Sequence, residues 1–123
     1  MELATERMQD VVIVELPYEE LDASNASDLK RDATTLIENE RKLVFDLSHT
    51  RFVDSSGLGA FLSCLRRVNE RGGDLKLCGL SRPVRAVFEL VRMHRIFDIY
   101  ATREEAAHAF ATHRVGNPPT APL

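Results

Sequence analysis

The chain has 123 residues, 44% hydrophobic and 28% charged, with 16 Lys and Arg against 19 Asp and Glu, a net charge of −3 and two cysteines. A chain of that length buries about two-thirds of the surface its unfolded form exposes, enough for one core without disulfide or metal staples and too little for a second domain. These figures exclude disorder and fibrous repeats, and the interleaving of 13 Arg and three Lys with carboxylates argues against nucleic-acid binding by counterion release. No apolar run approaches the roughly 18 residues of a membrane span, and the opening MELATERMQD lacks the basic and apolar regions of a secretory signal. A cytoplasmic location without a membrane partner is therefore expected.

In chain order, Val11-Val12-Ile13-Val14 with Leu16 is β-branched and stops at Pro17, which predicts a strand that pairs as a hairpin with a weaker one near Glu2–Arg7. From Ser24, a candidate cap, Leu29, Ala33, Leu36 and Ile37 recur at helical spacing, with Asp28 in the first turn. Lys42–Leu47 is a continuous apolar run closed by Asp46-Leu47, which suits a strand buried on both faces. Leu58, Phe61, Leu62, Leu65 and Val68 form the stripe of a second helix that ends at Gly72-Gly73. Leu75, Leu77 and Cys78 predict a strand, and Ser81 with Pro83 starts a third helix whose stripe is Val84, Val87, Phe88 and Val91. Ile96, Phe97 and Ile99 supply a last strand, and Arg103–Phe110 a terminal helix. The order β-β-α-β-α-β-α-β-α predicts an α/β domain whose sheet is largely parallel after the opening hairpin, because helical crossovers join the later strands. The domain is expected to occupy residues 1–112, and the Pro-rich stretch 113–123 to be disordered.

Chemistry concentrates in Phe52-Val53-Asp54-Ser55-Ser56-Gly57-Leu58-Gly59, where small polar residues precede an apolar helix. The first amides of a helix lack intrahelical acceptors and, with the macrodipole, favour an anion there, so a hydroxyl at this point is electrostatically prepared to carry negative charge. Capping alone also accounts for Asp, Ser and Gly at such a position. GxSxG and GxxxxGK[ST] are both absent, and His49, His94, His108 and His113 suggest no Ser/His/Asp order, so catalysis by this loop is not expected. Cys64 and Cys78 lie in apolar segments without CxxC or Cys/His spacing and read as buried thiols; no metal or cofactor is expected. Arg66, Arg67 and Arg71 lie where cations complement the end of the second helix, which suffices to explain them beside a contact with an acidic partner.

The segment VFDLSHTRFVDSSGLGAFLSCLRRVNERGGDLKLCGLSRPVRAVFELVRMHRIFDIYATREEAA resembles a STAS domain of the bacterial anti-sigma factor antagonist type, and the resemblance covers roughly Val11 to Phe110. The resemblance implies the STAS fold, a mixed, mostly parallel sheet of about five strands packed by about four helices. It implies that Ser55 is a phosphate acceptor and that Leu21-Asp22 corresponds to the family's L-D element near the acceptor loop. It also implies a partner switch: the unphosphorylated domain binds an anti-sigma factor serine kinase and frees a sigma factor, phosphorylation of Ser55 breaks the complex, and a phosphatase resets it. On that basis Asp54 orients the hydroxyl or meets the kinase, Ser56 and Gly57 supply amides, Leu58 anchors the helix and shows an edge to the partner, and Asp22 completes the partner-binding set. No small-molecule substrate and no enzymatic activity are expected. The alternative is a phosphorylation-independent STAS adaptor that docks on a transporter or signalling scaffold. Two departures concern local turns: Glu19 and Arg92 stand where the family usually has glycine, which alone takes positive φ freely.

Overall fold

The computed structural model describes residues 3–112, so the 113–123 tail lies outside the described residues. The main sheet has the order β1-β2-β4-β6-β7, built from β1 (Ala4–Met8), β2 (Val11–Glu15), β4 (Lys42–Asp46), β6 (Asp74–Cys78) and β7 (Ile99–Tyr100). β1 and β2 are antiparallel, as a hairpin requires; β2, β4, β6 and β7 are mutually parallel. A second sheet pairs β3 (Glu20–Leu21) in parallel with β5 (Phe52–Val53). The helices are α1 (Ala26–Asp32), α2 (Thr34–Asn39), α3 (Ser55–Glu70), α4 (Arg82–Leu90) and α5 (Arg103–Thr112).

Alternation along the strands sorts the side chains into two cores. Val12, Val14, Leu43, Phe45, Leu75 and Leu77 face α1–α4, and Val11, Ile13, Val44 and Cys78 face α5 through Ala106 and Phe110. Phe61 of α3 packs between Phe45 and Phe88, with ring centroids 6.3 and 5.8 Å away, and Phe97 continues the row at 5.9 Å from Phe88. Cys64 and Cys78 are buried, as expected, and burial pushes their thiols up to about 11 and about 12. Lys76 is buried beneath α5; its Nζ donates to Asp74 and Asp98 and lies 4.7 Å from the Phe110 ring centroid. Burial opposes its charge, but the carboxylates of Asp98 and Asp74 outweigh that and hold it raised.

Four details differ from the periodicity. The first helix is divided at Ala33 into α1 and α2, although Ala33 N–H still donates to the Leu29 carbonyl and Ile37 N–H to the Ala33 carbonyl. Thr34 Oγ1 donates to the Lys30 carbonyl at 2.9 Å, a back-bond that bends helices. Asn25, not Ser24, holds the N-cap position of α1. The last strand is only Ile99–Tyr100, because Phe97 turns inward onto Phe88 and Ile96 ends a short 3-10 turn (Met93–Arg95) facing solvent. Val91, expected on the inner stripe of α4, is half exposed because the helix ends at Leu90.

The two substituted glycine positions behave differently. Glu19 does not have positive φ, whereas Arg92 sits in the left-handed region at φ 64°, ψ 21°. That conformation costs an L-residue with a side chain about 1–2 kcal/mol, only part of which glycine's greater unfolded-state entropy takes back. Arg92→Gly is expected to raise the unfolding free energy by about 0.5–1 kcal/mol in urea titration. A drop would show that the arginine side chain stabilises this turn.

Candidate functional site

The site is built where β3 and β5 hand the chain on to two helices. Leu21 is in register with Val53, and Asp54 N–H donates to the Leu21 carbonyl at 3.2 Å. Asp22 and Asp54, 32 positions apart in sequence, therefore leave the small sheet side by side. Thr50 secures the approach: it is buried, and its hydroxyl donates to the Tyr18 carbonyl at 2.7 Å.

Asp54 is the N-cap of α3. Its backbone is extended, its Oδ1 accepts from Gly57 N–H at 3.0 Å, and its carbonyl accepts from Leu58 N–H at 2.9 Å. Ser55 and Ser56 are the first two helical residues, and both are exposed. Among the described residues neither hydroxyl has a hydrogen-bond partner, and the N–H groups of Ser55 and Ser56 remain open at the positive end of a 16-residue helix. Those two amides, rather than that of Gly57, are available to an anion, because Asp54 already occupies the third.

Gly57 and Leu58 point inward. A Cβ at Gly57 would lie 2.6 Å from the Leu21 carbonyl oxygen and 2.8 Å from Val53 Cγ1, so the absent side chain lets α3 start against the small sheet. Leu58 is only 6% exposed, so it anchors the helix but shows no edge to a partner. The sequence expectation for Gly57 and Leu58 is thus corrected to a supporting role.

Asp22 is held by a local turn. Its Oδ1 accepts from Ser24 N–H at 2.9 Å and from Ser24 Oγ at 2.6 Å, and these bonds hold its carboxyl below the usual carboxylate range. Ser24, read from the sequence as a helix cap, therefore serves Asp22. Asn25 fastens the same turn, accepting from Asp22 N–H at 2.9 Å and donating to the Glu20 carbonyl at 2.8 Å. The Asp-x-Ser-Asn order carries an Asx-turn signal that helical periodicity overrode.

Phe52, which sequence reasoning did not single out, is 49% exposed three residues before Ser55, beside the exposed Arg51. The arginines at the far end of α3 are partly spent within the fold. Arg67 donates to the Lys30 carbonyl and to Thr34 Oγ1, and Arg71 donates to the Glu38 carbonyl, which ties α3 to α1 and α2. Among the described residues no three His, Cys, Asp or Glu side chains gather in a group able to hold a metal ion. No helix among them is long and apolar enough to cross a membrane.

A mostly parallel sheet covered on both faces, with an exposed helix start next to two carboxylates, defines a small α/β domain. The chain belongs to the STAS domain family, in its anti-sigma factor antagonist group: the family model matches residues 2–106. It is 33% identical over 85 residues to the anti-sigma-B factor antagonist of Bacillus subtilis, covering 69% of this chain and 78% of that one. The crystal structure of TM1081 from Thermotoga maritima matches with a TM-score of 0.79 at 29% identity, covering 87% of this chain and 92% of that chain. SpoIIAA of Bacillus, solved unphosphorylated and phosphorylated, is similar in fold, with TM-scores of 0.66 and 0.65 at 23% and 24% identity. Those alignments cover 90% and 88% of this chain and 99% and 98% of the SpoIIAA chains.

Proposed function

We propose that this chain is a phosphorylation-controlled anti-sigma factor antagonist. Unphosphorylated, it binds an anti-sigma factor that is also a serine kinase and so frees a sigma factor; a phosphate on Ser55 breaks that complex, and a phosphatase restores it. The chain acts in the cytoplasm as a binding protein, without turnover, cofactor or small-molecule substrate. The observation that carries this reading is the placement of Ser55: exposed, its hydroxyl without an internal partner among the described residues, at the amino end of α3 directly after Asp54, which leaves the small sheet beside Asp22. The group membership shared with the Bacillus subtilis anti-sigma-B factor antagonist supports the partner class, and the solution of SpoIIAA in both phosphorylation states supports a switch that leaves the fold in place.

The physics of the switch is local. A phosphoserine adds about −1.5 to −2 charges. The open amides of Ser55 and Ser56 and the helix dipole favour that charge, whereas Asp22 and Asp54 crowd it with like charge. The scaffold therefore tolerates the modification, and the partner meets a strongly anionic corner where it had met a neutral hydroxyl. Asp22, Asp54, Ser55 and Ser56 form the contact set, with Gly57 and Leu58 holding it from below.

Incubation with the cognate kinase and ATP is expected to add one phosphate, absent in Ser55→Ala and retained in Ser56→Ala, as read by intact-mass spectrometry. Modification that persists in Ser55→Ala overturns the assignment. Ser55→Asp is expected to change stability by less than about 1 kcal/mol while weakening kinase binding, since the new charge sits at a helix start that accommodates it. Unchanged affinity would separate charge at this site from partner release.

A further inference from the structure

The strongest feature that the acceptor site does not use lies at the end of α4. Leu90 is 83% exposed, Val91 50% and Ile96 52%, while Val84, Phe88, Met93 and Phe97 of the same stretch are buried. Three exposed aliphatic side chains thus fall within seven positions, at a helix end and beside the adjoining 3-10 turn. The stretch 80–97 carries four arginines against a single carboxylate, Glu89, in a chain whose net charge is −3. Glu89 is taken by Arg85 at 3.1 Å. Among the described residues Arg82, Arg92 and Arg95 have no carboxylate partner, and the neighbouring Asp98 is turned to Lys76 at 2.8 Å. The turn between the aliphatic residues is held by Arg92 in the left-handed region, at a cost glycine would avoid.

We propose that Leu90, Val91 and Ile96, with the neighbouring exposed Arg92 and Arg95, form a second docking surface for the anti-sigma factor kinase, fitted to an apolar segment of that partner flanked by carboxylates. The assignment rests on the proposed function above. Charge complementarity selects an acidic occupant, because unpaired guanidinium groups in the same stretch as exposed apolar side chains favour carboxylates brought up beside them. The same arginines argue against a second copy of this chain, since a two-fold contact through the patch would set arginine against arginine. A lipid surface is disfavoured by extent: three aliphatic side chains at the end of a nine-residue helix make a far shorter stripe than an interfacial helix presents. Size points to the same partner that reads Ser55. A stable interface buries about 800 Å² on each side, more than three side chains provide, so the patch must be part of a larger contact. α4 packs against β5, which leads into the acceptor loop and carries the half-exposed Phe52, so both surfaces belong to adjoining elements.

The test uses the full chain and the purified cognate kinase. Leu90→Ser/Ile96→Ser and, separately, Arg95→Glu are expected to weaken binding about tenfold, with thermal midpoints unchanged because these side chains are exposed. In phosphorylation assays they should raise KM for the chain and leave kcat unchanged, since Ser55 and its surroundings are untouched. High salt should weaken the wild type more than Arg95→Glu. If both variants bind within about twofold of the wild type while Ser55→Asp still weakens binding, the patch is not a kinase surface and the Ser55 reading stands. If the wild type neither binds the kinase nor is phosphorylated, the functional reading fails and this assignment with it. Pelleting with phosphatidylglycerol vesicles, or dimerisation in sedimentation, that is lost in Leu90→Ser/Ile96→Ser with kinase affinity intact overturns the proposal in favour of that other occupant.

Discussion

Replacing Arg103 with methionine is expected to lower the unfolding free energy at neutral pH by about 3 kcal/mol. Arg103 opens α5, where the helix dipole disfavours a cation, yet its guanidinium gathers carboxylates from three strands: Glu6 of β1, Glu15 of β2 and Asp46 of β4. Nε donates to Asp46 Oδ2 at 3.1 Å, and a terminal nitrogen reaches Glu15 at 3.0 Å. Glu6 and Glu15 are partly exposed, but the Asp46 side chain is only 7% accessible, so methionine would fill the space and leave a buried carboxylate without its cation.

Acidity separates charge from packing in this variant. Burial by itself raises the Asp46 carboxyl, but the Ser48 N–H at 2.9 Å and the Arg103 guanidinium outweigh it and hold the group below its usual value. A carboxylate depressed in the folded state contributes stability above its unfolded value of about 3.9, and the contribution is lost as pH falls through the folded value. Without Arg103 burial gains weight, and the carboxyl is expected to move upward, so that protonation relieves the variant. The deficit should therefore be largest near pH 7 and shrink towards about pH 4 in parallel urea titrations. An equal deficit at both values would assign the loss to packing and not to the ion cluster.

Gly57→Ala is expected to cost about 2 kcal/mol and to blunt phosphorylation of Ser55, because the new methyl group meets a backbone oxygen that cannot rotate away. The Leu21 carbonyl, 2.6 Å from that position, is already fixed by the Asp54 N–H, so the first turn of α3 must lift off the small sheet that positions it. Gly59 provides the control two residues later in the same helix: it is exposed, and a Cβ there meets nothing within 4 Å. Gly59→Ala should stabilise by up to about 1 kcal/mol through helix propensity alone. Opposite signs for one chemical change would locate the constraint at the small sheet, whereas a gain at both glycines would remove it.

The long elements were legible because each spans at least one full period of its pattern. Val11–Glu15 and Lys42–Asp46 declare themselves by β-branched or continuous apolar composition and Asp74–Cys78 by Leu75 and Leu77 at a spacing of two, and the stripe from Leu58 to Val68 admits no other reading than a helix. The start of that helix at Ser55 was legible from chemistry, since Asp-Ser-Ser-Gly is what a capped helix entrance needs. β3 and β5 were not, because two residues cannot display a period of two. Nor could local pattern reveal that Arg103 meets Asp46 57 positions away, or that Val91 and Ile96, apolar in sequence, face outward. Those facts belong to the third dimension: the crossing of separate chain segments and the point where α4 runs out.

The brevity of β3 and β5 also fixes where evolution can lengthen this molecule. One residue inserted between Glu20 and Leu21, or between Phe52 and Val53, would turn the buried aliphatic side chain of that strand towards water and move Asp22 or Asp54 out of its place beside the other. Insertions beyond Asn25, up to the beginning of β4, leave that pairing untouched. Length variation among descendants should accordingly gather in the α1–α2 segment, while the spacing from Glu20 to Asp22 and from Phe52 to Ser55 stays constant to the residue.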